Sequence, residues 1–265
     1  MSLLLLVVVF ALGAVLGVPT RQLNRPYLPG GRIVGGEDAD IADYPYQLCV
    51  IYVDFGPMCG ATLIAPGWAL TAAHCTYKEV ASSFQVRAGS SNATSGGQLV
   101  QVEKIYQHPD FFYLTGENDI SLFKLATNIT TPSAKTATLS TSKPHANQTA
   151  SVIGWGITVE DDLTAGSEVL QVVQVPVLEQ EVCSGIYSDF ATSMFCAGYL
   201  EEGGKDACTG DSGGALVVDG VQAGIASWGS GCAEPGKPGV YTDVASYLDW
   251  IEEVMASDSK SPDNW

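Results

Sequence analysis

ATLIAPGWALTAAHC, residues 61–75, holds two short apolar runs separated by Pro66 and Gly67 and ends on a histidine beside a cysteine. Each run is strand-sized, and Pro with Gly breaks the chain between them. The same texture extends on both sides. QLCVIYV (47–53), FQVRAG (84–89), QLVQVEKIY (98–106) and DISLFKLA (119–126) belong to a first set; ASVIGWG (150–156), EVLQVVQVPVL (168–178), GALVVDG (214–220) and VQAGIASWG (221–229) form a second. Repeated short strands punctuated by Gly, Pro, Asn and Ser predict an all-β sandwich or barrel. Residues 126–149 carry no strand pattern and divide the sets, so two β-domains joined by a linker are expected. The period changes only near the end, where Val244, Leu248, Ile251 and Met255 fall on one helical face with acids opposite. A helix over about 244–256 is expected to dock on the second domain, followed by a disordered polar tail at 257–265.

The first seventeen residues form an apolar run ending in small residues, which reads as a cleaved secretory signal although Lys and Arg are absent from its start. No second stretch has membrane-spanning length, so no membrane association is expected after cleavage. Residues 18–32 are basic and rich in Pro and Gly, as in a linker or propeptide. Removing them takes Arg21, Arg25 and Arg32 but none of the 29 acidic residues, and shifts the formal charge from −17 to −20. Such a surface repels phosphates, which excludes nucleic acid as a partner, and attracts cationic substrates. Seven cysteines in a secreted chain are candidates for disulfides, and without a C-x-x-C pair neither zinc nor any other metal or cofactor is expected. The odd thiol is assigned to Cys49, inside an apolar run. Asn92, Asn128 and Asn147 each open an N-x-Ser/Thr sequon and are glycosylation candidates.

KDACTGDSGG, residues 205–214, surrounds Ser212 with small and acidic residues. It satisfies the G-x-S-x-G elbow of α/β-hydrolases, but that fold places its histidine after the serine, whereas His74, His108 and His145 all precede Ser212. A serine nucleophile needs a base to take its proton and a third group to orient that base. His74 is the preferred base, since core packing and a bonded Cys75 would fix its backbone; His108 and His145 flank prolines in surface-like loops. Asp119, opening an apolar strand, is either the orienting acid or a buried structural carboxylate.

TAAHC (71–75), NDISL (118–122) and GDSGG (210–214), with RIVGG (32–36) upstream, resemble the chymotrypsin-like serine proteases, and the trypsins in particular. The resemblance spans the chain from Ile33 to the terminal helix and gives a protease domain over 33–256. It implies two six-stranded antiparallel β-barrels with the active site between them, and a triad of Ser212 as nucleophile, His74 as base and Asp119 as its orienter. It also implies an oxyanion hole from the amides of Gly210 and Ser212. By the same resemblance the chain is a zymogen cut after Arg32, whose new Ile33 ammonium pairs with Asp211. Asp206 would bind an Arg or Lys side chain, with Ala207, Ser227, Trp228, Gly229 and Gly239 lining the pocket. Disulfides Cys59–Cys75, Cys183–Cys196 and Cys208–Cys232 are implied, as are a monomeric state, protein inhibitors and an activating protease. A secreted digestive enzyme is the simplest role, with a cascade protease or a non-catalytic homologue as alternatives.

Departures from the family pattern carry further expectations. Ala207 stands where many trypsins have a serine that helps bind lysine, so Arg is preferred over Lys. The loop GSSNATSGGQ (89–98) lacks calcium-binding acids, and two disulfides common in vertebrate trypsins are missing. Beyond Ile33 only Arg87 remains, and TVEDDLTAGS (158–167), matching the family's exposed autolysis loop, has no Arg or Lys, so the enzyme would cut itself little.

Overall fold

The computed structural model of the chain describes residues 33–157 and 166–260. Alternation decides the first half. In strand β2 (Gln47–Tyr52), β3 (Gly56–Ala65), β4 (Trp68–Thr71), β5 (Phe84–Ala88), β6 (Gln98–Gln107) and β7 (Ser121–Leu125), inward apolar side chains build one interior. β5 shows this most plainly, with Phe84, Val86 and Ala88 buried and Gln85 and Arg87 facing outward. Pro66 and Gly67 form the two-residue turn between β3 and β4, where Ala65 pairs with Trp68. The strands close into an antiparallel barrel in the order β2-β3-β4-β7-β6-β5.

The second half pairs β8 (Thr149–Gly154), β9 (Gln171–Pro176), β10 (Met194–Ala197), β11 (Ala215–Val218), β12 (Val221–Trp228) and β13 (Gly239–Asp243) in the order β9-β8-β11-β12-β13-β10. A short strand β1 (Glu37–Asp38) adds to β9 as a seventh member that the strand pattern does not announce, because two exposed acids carry no apolar alternation. The sheet curls until its ends meet. Val177, just past β9, bridges Ala197 at the end of β10, and the Leu178 amide donates to the Cys196 carbonyl at 3.0 Å. Helix α1 (Gln180–Ile186) follows β9, and Cys183 within it is bonded to Cys196.

The stretch between β7 and β8 is tied to both halves. Ala137 N–H donates to Leu63 O in the first, at 2.8 Å, and Ser140 N–H to Gln222 O in the second, at 2.9 Å. Cys49 lies in a third apolar cluster that joins the barrels, with Ile153, Leu170 and Ala215. Burial pushes its thiol up to about 12, so it packs as a hydrophobe.

The chain end corrects two expectations. A 3₁₀ turn at Val244–Tyr247 leads into helix α2 (Leu248–Lys260), so 257–260 are helical and not a tail. Its apolar face joins the core of the first barrel and not the second: Val244, Tyr247 and Ile251 are buried in that cluster, with Leu248, Trp250, Val254 and Met255 packed against it. Polar contacts hold the same docking. Asp258 accepts from Lys104 Nζ at 2.9 Å and Tyr106 OH at 2.6 Å, and pairs with Lys124 at 3.3 Å. A periodic stripe records that a face is covered, not which barrel covers it. Among the described residues no helix is long and apolar enough to cross a membrane.

Candidate active site

β4 delivers His74 directly into a 3₁₀ turn, and Asp119 sits just before β7, the neighbouring strand. Asn118 takes a left-handed φ of 56° that turns the chain into β7, held by its side-chain contacts to Asp110 O and Tyr247 OH. Asp119, fully buried, accepts from the His74 backbone N–H at 2.8 Å and faces His74 Nδ1 at 2.7 Å. The second barrel also holds it: Ser227 Oγ on β12 donates to the same carboxylate, and Thr242 Oγ1 on β13 donates to the Asp119 carbonyl at 2.9 Å. Burial disfavours a charged His74, but the charge of Asp119 and its hydrogen bond outweigh burial and raise the imidazole above its ordinary value of 6.5. An imidazole held through Nδ1 offers Nε2 as a proton acceptor.

Ser212 reaches this neighbourhood through backbone contacts. Gly60 N–H donates to Ser212 O at 2.8 Å, and Thr71 Oγ1 donates to Gly60 O at 2.8 Å. Gly213, at φ 80°, lies so close to Thr71 Oγ1 and Gly60 O that no Cβ would fit. Gly60 adjoins Cys59, whose disulfide partner Cys75 adjoins His74, with Cα atoms 6.5 Å apart. Serine and histidine loops are thus pinned to each other from both sides. Gly210, at φ 97°, packs on Gly156, where a Cβ would fall 2.9 Å from the Gly156 Cα. Backbone amides on such a turn can face a developing oxyanion.

Asp211 points the other way and is completely buried. Its carboxylate accepts from Gly156 N–H at 2.8 Å and Cys208 N–H at 3.0 Å. Burial still outweighs these donors and pushes it up to about 6. Gly154 and Gly156 are both glycine because a Cβ at either would strike this carboxylate, a role that the strand reading of ASVIGWG missed; two glycines flanking Trp155 were the available signal. Ile33 is fully buried in the core of the second barrel. Gly35, at φ 71°, approaches Gly204 O too closely for a side chain, and Val34 O accepts from Asp206 N–H at 3.2 Å. Arg32 and the segments 1–17 and 18–32 lie outside the described residues.

A cavity of about 510 Å³ opens beside Ser212. Asp206, Ala207, Ser227, Trp228, Gly229 and Gly239 all line it. Asp206 is 2% exposed and accepts from Ala233 N–H at 3.1 Å. A Cβ on Gly239 would lie 2.6 Å from Asp206 Oδ1, so only glycine leaves the carboxylate open on that wall. The Cys208–Cys232 disulfide, with Cα atoms 5.4 Å apart, joins the two loops around the cavity.

Other sequence-predicted positions lie away from this centre. Asn128 and Asn147 are exposed, whereas Asn92 is half-buried with its Oδ1 accepting from the Thr94 and Ser95 amides, both at 2.9 Å. His108 packs against the Tyr247 and Trp250 rings. Arg87 turns its guanidinium into the 89–98 loop and donates to the carbonyls of Ala93, Thr94 and Gly96. Most of the predicted autolysis loop, residues 158–165, falls outside the described residues.

The trypsin family model matches residues 33–251. Trypsin 5G1 of Aedes aegypti is 39% identical over 252 residues, covering 92% of this chain and 93% of its own length. Trypsin-4 of Rattus norvegicus is 40% identical over 254 residues, 93% of this chain and 96% of its own. Serine protease 1 of Homo sapiens is 39% identical over 243 residues, 89% and 95% respectively.

Proposed function

Since this chain belongs to the trypsin family and is a serine endopeptidase acting on protein substrates, we propose that it cuts after arginine, and less readily after lysine, using Ser212, His74 and Asp119. The observation that carries the reading is a buried carboxylate, Asp206, lining the cavity beside Ser212, with His74 held by Asp119 at 2.7 Å and its loop tied to that of Ser212 through the Cys59–Cys75 disulfide. The substrate cation would enter the cavity and bring its carbonyl to Ser212. Ser212 Oγ attacks the carbonyl carbon as His74 Nε2 takes its proton; the amides of Gly210 and Ser212 hold the oxyanion. Collapse of the tetrahedral species breaks the C–N bond, and His74 returns the proton to the leaving amine. Water then attacks the acyl-enzyme by the same route, releasing the new carboxylate and restoring Ser212. Asp119 stays ionised throughout and stabilises the imidazolium.

The enzyme is made as a secreted precursor, with 1–17 as its signal and 18–32 as its propeptide. Cleavage after Arg32 gives Ile33 an ammonium that neutralises Asp211. A carboxylate that burial holds near 6 has much to gain from a cation, and this supports the switch. Its role is digestive. Ala207 supplies no hydroxyl for the shorter lysine ammonium, whereas a guanidinium reaches Asp206 with two hydrogen bonds.

The test is to process the precursor, identify the new amino terminus, and assay peptides with Arg, Lys, Phe or Ala before the scissile bond. Arg is expected to exceed Lys by about tenfold in kcat/KM, with Phe and Ala barely cleaved and Ser212→Ala inactive. A Lys preference would refute the role of Ala207; equal cleavage of Phe and Arg peptides would refute that of Asp206. Digestion of an unrelated denatured protein at most arginyl bonds supports the digestive role, and cleavage at one or two bonds favours a cascade enzyme.

A further inference from the structure

Thr71, the last residue of β4, is fully buried. The three segments that carry the proposed triad meet at it. His74 follows three positions later on the same chain, Thr71 pairs with Ser121 two positions past Asp119, and its hydroxyl lies against the turn that carries Ser212. A threonine hydroxyl has one proton to donate. The β3–β4 ladder ends at the pair of Thr62 with Leu70, and beyond it Thr71 Oγ1 donates to Gly60 O at 2.8 Å. Gly60 N–H in turn donates to Ser212 O at 2.8 Å. On the far side of the nucleophile a Cβ on Gly213 would collide with Thr71 Oγ1, and Gly213 N–H donates to Ala226 O at 2.8 Å. Asp206 is held by other groups: its N–H donates to Val34 O, its carboxylate accepts from Ala233 N–H, and the Cys208–Cys232 disulfide closes the loops around it.

Resting on the assignment of Ser212, His74 and Asp119 as the triad, we propose that the Thr71 hydroxyl is a positioning group for the nucleophile. It fixes Gly60, and through the Gly60 amide the Ser212 carbonyl, so that Ser212 Oγ stands within reach of His74 and the Ser212 amide faces the oxyanion. Without the donor, Gly60 O is a buried acceptor that has lost a partner, and the end of β3 shifts to find another. Ser212 moves with it. A small misplacement of the nucleophile lowers the rate of the chemical step, while the substrate cation still finds Asp206 in place. Thr62 supplies an internal control, because it is fully buried two residues from Gly60 and its hydroxyl has no hydrogen-bond partner among the described residues.

The test compares Thr71→Val, Thr71→Ala, Thr71→Ser and Thr62→Val in the processed enzyme. Active sites are counted by titration to completion with a fluorophosphonate, so each rate refers to folded enzyme alone. Thr71→Val is expected to lose about a hundredfold in kcat on an arginyl peptide, with KM and the affinity for benzamidine unchanged. Thr71→Ser keeps the donor and should return kcat close to the wild type, and Thr62→Val should leave it unaltered. Serine and alanine at position 71 both lack the methyl, so their ratio isolates the hydroxyl even if the valine variant does not fold. A lower Tm in Thr71→Val with kcat per titrated site equal to that of Thr62→Val would overturn the proposal, since the hydroxyl would then serve stability alone. Equal losses in the serine and alanine variants would overturn it too. So would a loss of benzamidine affinity as large as the loss of kcat, which would place the effect in the Asp206 cavity. Full activity of Ser212→Ala would remove the triad itself, and this inference with it.

Discussion

The two barrels bury different things. The interior of the first is apolar, filled by Leu48, Leu70, Phe84, Leu122 and Phe123 among others, and its strands close on themselves through a continuous antiparallel ladder. The second takes Asp206, Asp211 and Asp243 out of water, and the loops around its cavity turn through left-handed glycines at 203, 204, 210, 213 and 231. An apolar core is stable as soon as it is packed, whereas a buried carboxylate is costly until a cation or enough donors meet it. In the proposed mechanism two of those cations arrive from outside: the substrate's guanidinium at Asp206 and the processed amino terminus at Asp211. The first half is therefore the fixed frame and the second the conditional half.

Asp119 bridges the contrast and carries the largest expected effect. It belongs to the first barrel yet takes hydrogen bonds from Ser227 and Thr242 of the second. Asp119→Asn should lower kcat by about 10⁴-fold, a magnitude known for this class of enzyme and not one obtained from this geometry. The pH profile gives the sign. In the proposed mechanism His74 must be neutral to act as base, so kcat/KM is expected to rise with pH through its pKa, which lies above 6.5 in the wild type. Without the carboxylate that limb should move to lower pH. An unmoved limb would mean that Asp119 does not couple the barrels through the imidazole.

Asp211 tests the conditional half directly. Its folded pKa of about 6 lies above the ordinary 3.8, so the folded chain holds this proton more tightly than the unfolded chain does. Its stability should therefore fall as pH rises from about 4 to about 6, by about 3 kcal/mol in all, and stay low above that. Asp211→Asn should flatten this part of the denaturation profile while leaving the processed protein inactive. Equal pH dependence in both proteins would break the contrast between the halves.

The smallest effect concerns the frame. Arg87 closes the 89–98 loop with a guanidinium on three carbonyls, where an acid-free loop has little to offer a metal. Arg87→Gln should cost about 2 kcal/mol, or about 5 °C in Tm, and a chelator should leave the wild-type Tm unchanged. Calcium-dependent melting of the wild type would show that the first barrel, too, waits for a cation.

The frame was legible in the sequence because period-two alternation and Pro-Gly turns are local signals, and β5 displays both burial and exposure within five residues. What stayed hidden depends on long-range approach. Ser227 reads as a pocket residue, and its donation to Asp119 requires two strands from different barrels to meet. The contact of Gly213 with Thr71 explains a glycine in GDSGG, but only once residues far apart in sequence have been brought together. Asp211 was read through its motif, whereas the glycines at 154 and 156 that make room for it belong to a run whose apolar residues dominate the pattern.

The docking of α2 on the first barrel gives the chain an order of assembly. The strands of the first barrel are synthesised well before the segment that covers one flank of their core, Val244 through Ile251. A nascent first barrel must wait with an uncapped apolar flank until that segment, more than a hundred residues further on, has been made. Removing this helical segment should therefore cripple the half of the molecule that lies far from it in sequence.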